Sequence, residues 1–166
     1  MQVFCPDLWL FSKATLNVFE IQNYGVRRHF PGHPLAATTF NLGPVVTTFP
    51  HRDMKNLSWG WCAITSFGDY DPKRGGHLVL WDLKVALEFP PYSTVFIPSA
   101  IVIHGNTAVA EGETRRSITQ YNSAGLFGWS AHGNVPYREA EEVAEWWKKP
   151  KHMFSKISDL MKVTRK

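Results

Sequence analysis

At 166 residues the chain is long enough for one domain with a real core and short for two. Its 44% apolar and 19% charged residues exclude a disordered chain, and no run approaches the roughly 18 uninterrupted apolar residues of a membrane span. A net charge of +4 and a pI near 9.1 are compatible with a nucleic-acid partner without demanding one.

Seven Trp, eleven Phe and five Tyr favour a strand-rich, tightly packed interior. Cys5 and Cys62 lie far apart and form neither a disulfide framework nor a metal-knuckle spacing, so a reducing compartment, cytosol or nucleus, is the expectation. The first twenty residues carry Asp7, Lys13 and Glu20 and no apolar run of signal-peptide length, which argues against secretion.

In chain order, the first element is a helix over 5–20, with Leu8, Phe11, Leu16 and Phe19 near helical spacing as one buried stripe. A Pro/Gly/His stretch, His29 to Pro34, follows. From Ala37 the texture changes: short runs rich in Val, Ile, Thr and aromatics alternate with Gly, Pro, Asp and Asn clusters. The pattern predicts strands at 37–42, 45–50, 58–66, 77–83, 93–97, 101–105, 114–122 and 126–130. Gly43-Pro44, the polar run Asp69 to Gly76, Pro90-Pro91, Pro98 and Glu111-Gly112-Glu113 are the breaks between them. Short strands at such spacing predict a sandwich, barrel or jelly roll.

Beyond residue 133 the sequence predicts helix again. Pro136 suits a first turn and Pro150 an end, with Ala140, Val143, Ala144 and Trp147 on one face and acids in the first half. A second short helix is predicted at 152–162. The basic residues Lys148, Lys149, Lys151, Lys156, Lys162, Arg165 and Lys166 read first as a solvated face and terminus, second as a phosphate-binding patch.

The chemistry centres on His51-Arg52-Asp53, which closes an apolar run. On an extended backbone residues i and i+2 share a face, so imidazole and carboxylate can reach one ion. Chance supplies roughly a quarter of such a pair in a chain with seven His, so the motif needs support. His104, after Ile101-Val102-Ile103, provides it. Two histidines and one carboxylate leave positions open on a metal, the arrangement suited to oxygen-activating ferrous iron. Arg115 and Ser117 then follow at spacing two, a guanidinium and a hydroxyl able to clamp a dicarboxylate such as 2-oxoglutarate. Plainer readings exist for each: a loop hydrogen bond for His51 and Asp53, a satisfied core histidine for His104, a surface charge for Arg115. Their joint order favours the metal.

These residues, in the order H-x-D … H … R-x-S, resemble the double-stranded β-helix core of the Fe(II)/2-oxoglutarate-dependent dioxygenases over Asn41 to Gly133. The stretches NLGPVVTTFPHRDMKN (41–56), FGDYDPKRGGHLVLWDL (67–83), FPPYSTVFIPSAIVIHGN (89–106) and GETRRSITQYNSAGLFGW (112–129) resemble a fungal group of such oxygenases related to the TET/JBP nucleic-acid-modifying enzymes. The resemblance implies one domain over 1–166, with a core at 37–133 and flanking helices at 1–36 and 134–166. It implies His51, Asp53 and His104 as iron ligands and catalytic centre, Arg115 and Ser117 as the cosubstrate grip, and Fe(II), 2-oxoglutarate and O2 as cofactor and cosubstrates. It further implies hydroxylation of a C–H bond, with a methylated base in nucleic acid as substrate. Two departures stand out. Arg116 occupies a position where the family pattern has an aromatic, so either Arg115 or Arg116 faces inward, Arg115 being the reading adopted here. Residues 1–36 are a shorter lead-in than the family usually has, which suggests reduced substrate-recognition segments.

Rival readings are a protein or small-molecule hydroxylase of the prolyl-hydroxylase kind on the same fold, and a jelly-roll binding module without turnover. His51-Arg52-Asp53-Met54-Lys55 also resembles a protein-kinase catalytic loop, but Ser58 stands where that loop needs Asn, and no glycine-rich loop precedes it. His29 and His33 lack a second ligand pair for zinc, and Asp69 and Asp71 lack the rest of a calcium loop. Trp59 and Trp61 read as core packing, and no role is assigned to His77.

Overall fold

The computed structural model describes residues 1–134, 153–156 and 158. It divides into two compact units, Ala37–Gly125 and Met1–Ala36 with Leu126–Lys166. The predicted helix at 136–150, most of that at 152–162, and most of the basic tail lie outside the described residues.

In the terminal unit, helix α1 spans Pro6–Gln22. Pro6 sits in the first turn, where its missing N–H costs nothing, and Asp7 favours the positive end of the helix. Asn23 ends it, returning both its backbone N–H and its side-chain amide to Phe19 O at 3.0 and 2.8 Å. The buried stripe is Leu8, Ser12 and Leu16. It is narrower than the expected one, because Phe11 and Phe19 are only half-buried. Arg28 closes the following loop on Glu20 (2.7 Å), and that contact holds the Glu20 carboxyl below its ordinary value.

The strands of the other unit are β1 Ala37–Asn41, β2 Cys62–Asp69, β3 Leu78–Leu80, β4 Val85–Leu87, β5 Thr94–Ile97, β6 His104–Asn106 and β7 Thr114–Tyr121. They form two antiparallel sheets, β1-β7-β2-β5 and β4-β3-β6. An isolated antiparallel bridge puts His51 on the free side of β6. Counting that bridge as a strand position, the chain visits the larger and smaller sheets in the order large, small, large, small, small, large, small, large. Such a palindrome describes a long hairpin wound around itself: the double-stranded β-helix, or jelly roll. The sheets face each other over Cys62, Ile64 and Ile97 from the larger and Leu78 and Leu80 from the smaller, joined by Phe89 and Val102. Each large apolar side chain buried there contributes about 1.5–3 kcal/mol.

Several elements differ from expectation, each for a local reason. Residues 45–50 form no strand. Pro44 and Pro50 carry no N–H, so no continuous ladder can form; the stretch makes isolated β-bridges at Val45 and His51 and single backbone bonds to β7 and β6 through Val46 N–H and Thr48 O. The expected strand 58–66 starts at Cys62, because Gly60 N–H turns back on Leu57 O at 2.8 Å. The expected 77–83 strand stops at Leu80 and becomes one 3-10 turn, Trp81–Leu83. Lys84, left-handed at φ 54°, then reverses the chain into β4, an unanticipated strand. Strand β6 begins at His104, not Ile101, because Ile101 and Val102 turn back onto Pro98 O at 3.1 Å. Residues 126–130, expected as a strand, belong to helix α2, Ala124–Ala131. A short apolar run such as Leu126-Phe127-Gly128-Trp129 fits either period, and here Phe127 alone is buried.

No helix among the described residues is long and apolar enough to cross a membrane. Both cysteines are free and buried, and burial pushes the Cys62 thiol up to about 12.

Candidate metal centre

The jelly roll brings His51 and His104 together by backbone pairing. Each donates its N–H to the other's carbonyl at 3.0 Å, so the two imidazoles stand side by side with ring centroids 4.4 Å apart. Gly105 makes this close approach possible: a Cβ at that position would lie 2.6 Å from Thr48 O. Asp53 follows two residues after His51, and its N–H is anchored on Ser99 O at 3.0 Å. Its carboxylate reaches both rings, Oδ1 at 3.5 Å from His51 Nε2 and Oδ2 at 3.9 Å from His104 Nε2. One ligand atom from each of the three residues lies within 4.8 Å of the others, a set that could hold a metal ion.

Hydrogen bonding fixes which imidazole atoms are free. His51 Nδ1 lies 2.8 Å from Phe49 O and His104 Nδ1 lies 2.9 Å from Val102 O. A carbonyl only accepts, so each Nδ1 carries a proton, and in the neutral ring Nε2 is then the atom with a lone pair toward Asp53. Burial holds the His104 pKa below the ordinary histidine value, which favours the neutral, ligating form. His104 is 4% exposed, whereas the His51 side chain is 42% exposed. The centre is therefore buried on one side and open on the other. Two imidazole nitrogens and one carboxylate, with that open side, are the donor set of a non-haem ferrous site.

Arg52, between the two candidate ligands, points elsewhere. Its guanidinium bonds Ile101 O at 3.0 Å and meets both oxygens of Asp82 at 3.3 Å, while Asp82 Oδ2 accepts Ile103 N–H at 2.6 Å. This clip ties the His51 segment to the one that leads into His104. The Ile103 N–H, with Arg52 beside it, holds the Asp82 carboxyl below its ordinary value.

All three residues line a cavity of about 540 Å³ that also reaches Arg115 and Ser117. Along β7 burial alternates: Arg115 and Ser117 are buried, Arg116 is exposed. The inward guanidinium is Arg115. Its Nη1 donates to Val46 O at 3.0 Å, Tyr70 is its side-chain hydrogen-bond partner, and the Phe89 ring lies 5.8 Å away. Its Nε is buried with no partner, and among the described residues no carboxylate pairs with it. Burial consequently pulls its pKa below the usual arginine value. A buried, unpaired cation facing a cavity is costly, and an anionic ligand would relieve it. Ser117 Oγ accepts from Asn41 Nδ2 at 3.1 Å and remains at the same wall.

Sequence reading missed three supporting residues. Tyr70, which read as part of a polar turn, buries its hydroxyl against Ser66 Oγ (2.6 Å), Phe89 O and Arg115. An aromatic inside an otherwise polar run was the available signal. Asn106 shares the face of His104 by spacing two; its carboxamide accepts Thr48 N–H at 2.9 Å and donates to Val46 O at 3.2 Å, replacing the ladder that Pro44 and Pro50 deny. Asn56 bonds Asp53 itself. The other motifs set aside on sequence play no part in this cavity: His77 meets Thr107, and His33 accepts Leu35 N–H at 3.3 Å.

No family model matches the sequence, and no curated protein matches it. Among solved structures, NgTET1 in complex with 5mC DNA is similar over 75% of this chain and 39% of that one, with a TM-score of 0.45 and 16% identity. The fold assignment rests on the strand order; that likeness adds nothing about activity.

Proposed function

We propose that the chain is an Fe(II)- and 2-oxoglutarate-dependent dioxygenase that hydroxylates a C–H bond, and that its substrate is the methyl group of a modified base in nucleic acid. The observation that carries the reading is the convergence of His51 Nε2, Asp53 and His104 Nε2 in one cavity with an unpaired Arg115.

In this reading His51, Asp53 and His104 hold iron, and Arg115 with Ser117 grips the distal carboxylate of 2-oxoglutarate. Iron with this cosubstrate and O2 supplies oxidation of an unactivated C–H bond, while 2-oxoglutarate is decarboxylated to succinate. The chain's own part is positional. The Nδ1–H bonds to Phe49 O and Val102 O keep both rings in the ligating tautomer. Tyr70 and Phe89 wall the guanidinium so that it meets a carboxylate in a water-poor setting, where charge-assisted pairing is strongest. The cavity falls within the roughly 300–1,000 Å³ usual for ligand pockets. Lys55 and Arg115 line it, Arg52 lines it with its guanidinium paired to Asp82, and Asp53 is its sole acidic lining residue among those described. That charge balance suits a phosphate-bearing substrate and disfavours a cationic one. A base in a duplex would have to leave its stack to enter.

Anaerobic Fe(II) plus 2-oxoglutarate should give the wild-type chain a visible charge-transfer band. His51→Ala and Asp53→Ala should abolish it. Arg115→Ala should keep metal binding and weaken 2-oxoglutarate about 10- to 100-fold, the loss of a charge-assisted pair of roughly 1.5–3 kcal/mol. Succinate release with methylated DNA, methylated RNA and peptides identifies the substrate class. Turnover on peptides alone removes the nucleic-acid part, and a chain with neither band nor succinate is not this enzyme.

A further inference from the structure

Asp53 is the one donor of the three whose ligand atom its own backbone surroundings leave open. It lies outside any strand, its side chain is 27% exposed, and a carboxylate can turn either oxygen, or both, toward an ion. One side chain restricts that choice. Asn56 Nδ2 donates to Asp53 Oδ2 at 3.1 Å and to Ser99 Oγ at 3.1 Å. A primary amide has two N–H groups, so the two bonds use one each and fix the amide plane.

Ser99 is itself immobile. It is 1% exposed, its carbonyl accepts Asp53 N–H, its own N–H goes to Ile97 O at 3.0 Å, and its hydroxyl hydrogen-bonds Cys62 in the core. Asn56 is pinned at the backbone too. Its N–H bonds Asp53 O at 2.8 Å, and it bridges Ser123, just beyond β7. The amide is thus an arm from the rigid core to one carboxylate oxygen.

We propose that Asn56, anchored on Ser99, is the positioning residue of the metal centre, holding Asp53 Oδ2 so that Oδ1 is presented to the ion and the carboxylate binds through one oxygen. This rests on the metal reading above. The consequence is a centre that keeps a coordination position open which a two-oxygen carboxylate would fill. Outer partners of this kind typically change metal affinity 10- to 100-fold when removed.

The test uses cobalt(II) as an oxygen-stable probe of the intact chain, read by titration and by its visible d–d bands. Asn56→Leu should fold with the wild-type melting temperature to within a few degrees, bind cobalt about 10- to 100-fold more weakly, and show shifted d–d bands. Ser99→Ala, which frees the arm but leaves the Asp53 bond, should lose less, about 5-fold. A purely structural asparagine would lower the melting temperature without moving the bands of the metal that still binds. Wild-type cobalt affinity and bands in Asn56→Leu overturn the assignment, as does an unchanged affinity with a raised KM for substrate, which would make Asn56 a substrate contact. If Asn56→Leu does not fold, unchanged cobalt affinity and bands in Ser99→Ala overturn it. A wild-type chain that binds no cobalt, or whose cobalt His51→Ala leaves in place, overturns this proposal together with the metal reading; where His51→Ala abolishes cobalt binding, a wild-type result in Asn56→Leu counts against this proposal alone.

Discussion

Arg115 is buried beside a tyrosine and a carbonyl with no acid to balance it, while Arg116, its chain neighbour, is exposed. Only the pleat separates them, so a change at one and not the other reads the register directly. Arg116→Ala should leave 2-oxoglutarate affinity within a factor of about 2, in contrast to Arg115→Ala. The sequence left these two open because alternation fixes faces only once the strand's partner is known. Tyr70 and Asn56 were hidden differently: each acts through a contact made by folding, and neither has a motif of its own. His104 makes a second prediction. Its folded pKa lies below the unfolded value near 6.5, so the folded metal-free chain binds fewer protons than the unfolded one in that range. Stability is then full above about pH 6.5 and is lost as pH falls through the folded pKa. The melting temperature should drop between about pH 7.5 and about pH 5.5, and His104→Gln should flatten that slope. His33, also held low by burial, contributes with the same sign and keeps some slope in the variant. An unchanged slope in His104→Gln would contradict the assignment.

At the level of elements, the strands that carry the centre are its least regular. His51 pairs through a single bridge and β6 is three residues long, yet side-chain bonds from Asn106, Arg52 and Asp82 hold both in place. Proline and turn chemistry explain why the expected 45–50 strand dissolved, whereas β1, β5 and β7, with clean breaks on both sides, lie close to their expected bounds. The strand forecast at 126–130 failed because four apolar residues carry no usable period. Gly105 is the point where the two ligand segments touch. Gly105→Ala should cost about 1–3 kcal/mol, measured by denaturant unfolding, because the new methyl meets the Thr48 and Phe49 backbone, and it should also weaken metal binding by disturbing the His51–His104 bridge. Wild-type stability in that variant would show that the segments can part without loss.

At the scale of the whole molecule, the jelly roll explains why residues 51, 53, 104, 115 and 117, spread through the chain, line one cavity. Composition and break spacing made a two-sheet β fold legible, and the H-x-D … H … R-x-S order made its candidate site legible; strand order came only with coordinates, since no local pattern encodes which strands pair. The account stands on one ion shared by three side chains. X-ray absorption at the iron edge, on the anaerobically Fe(II)-loaded chain, measures that shell directly. It should show one iron per chain with scattering from two imidazoles and oxygen donors, and one imidazole fewer in His104→Ala. A shell without imidazole scattering, or one that His104→Ala leaves intact, would contradict it.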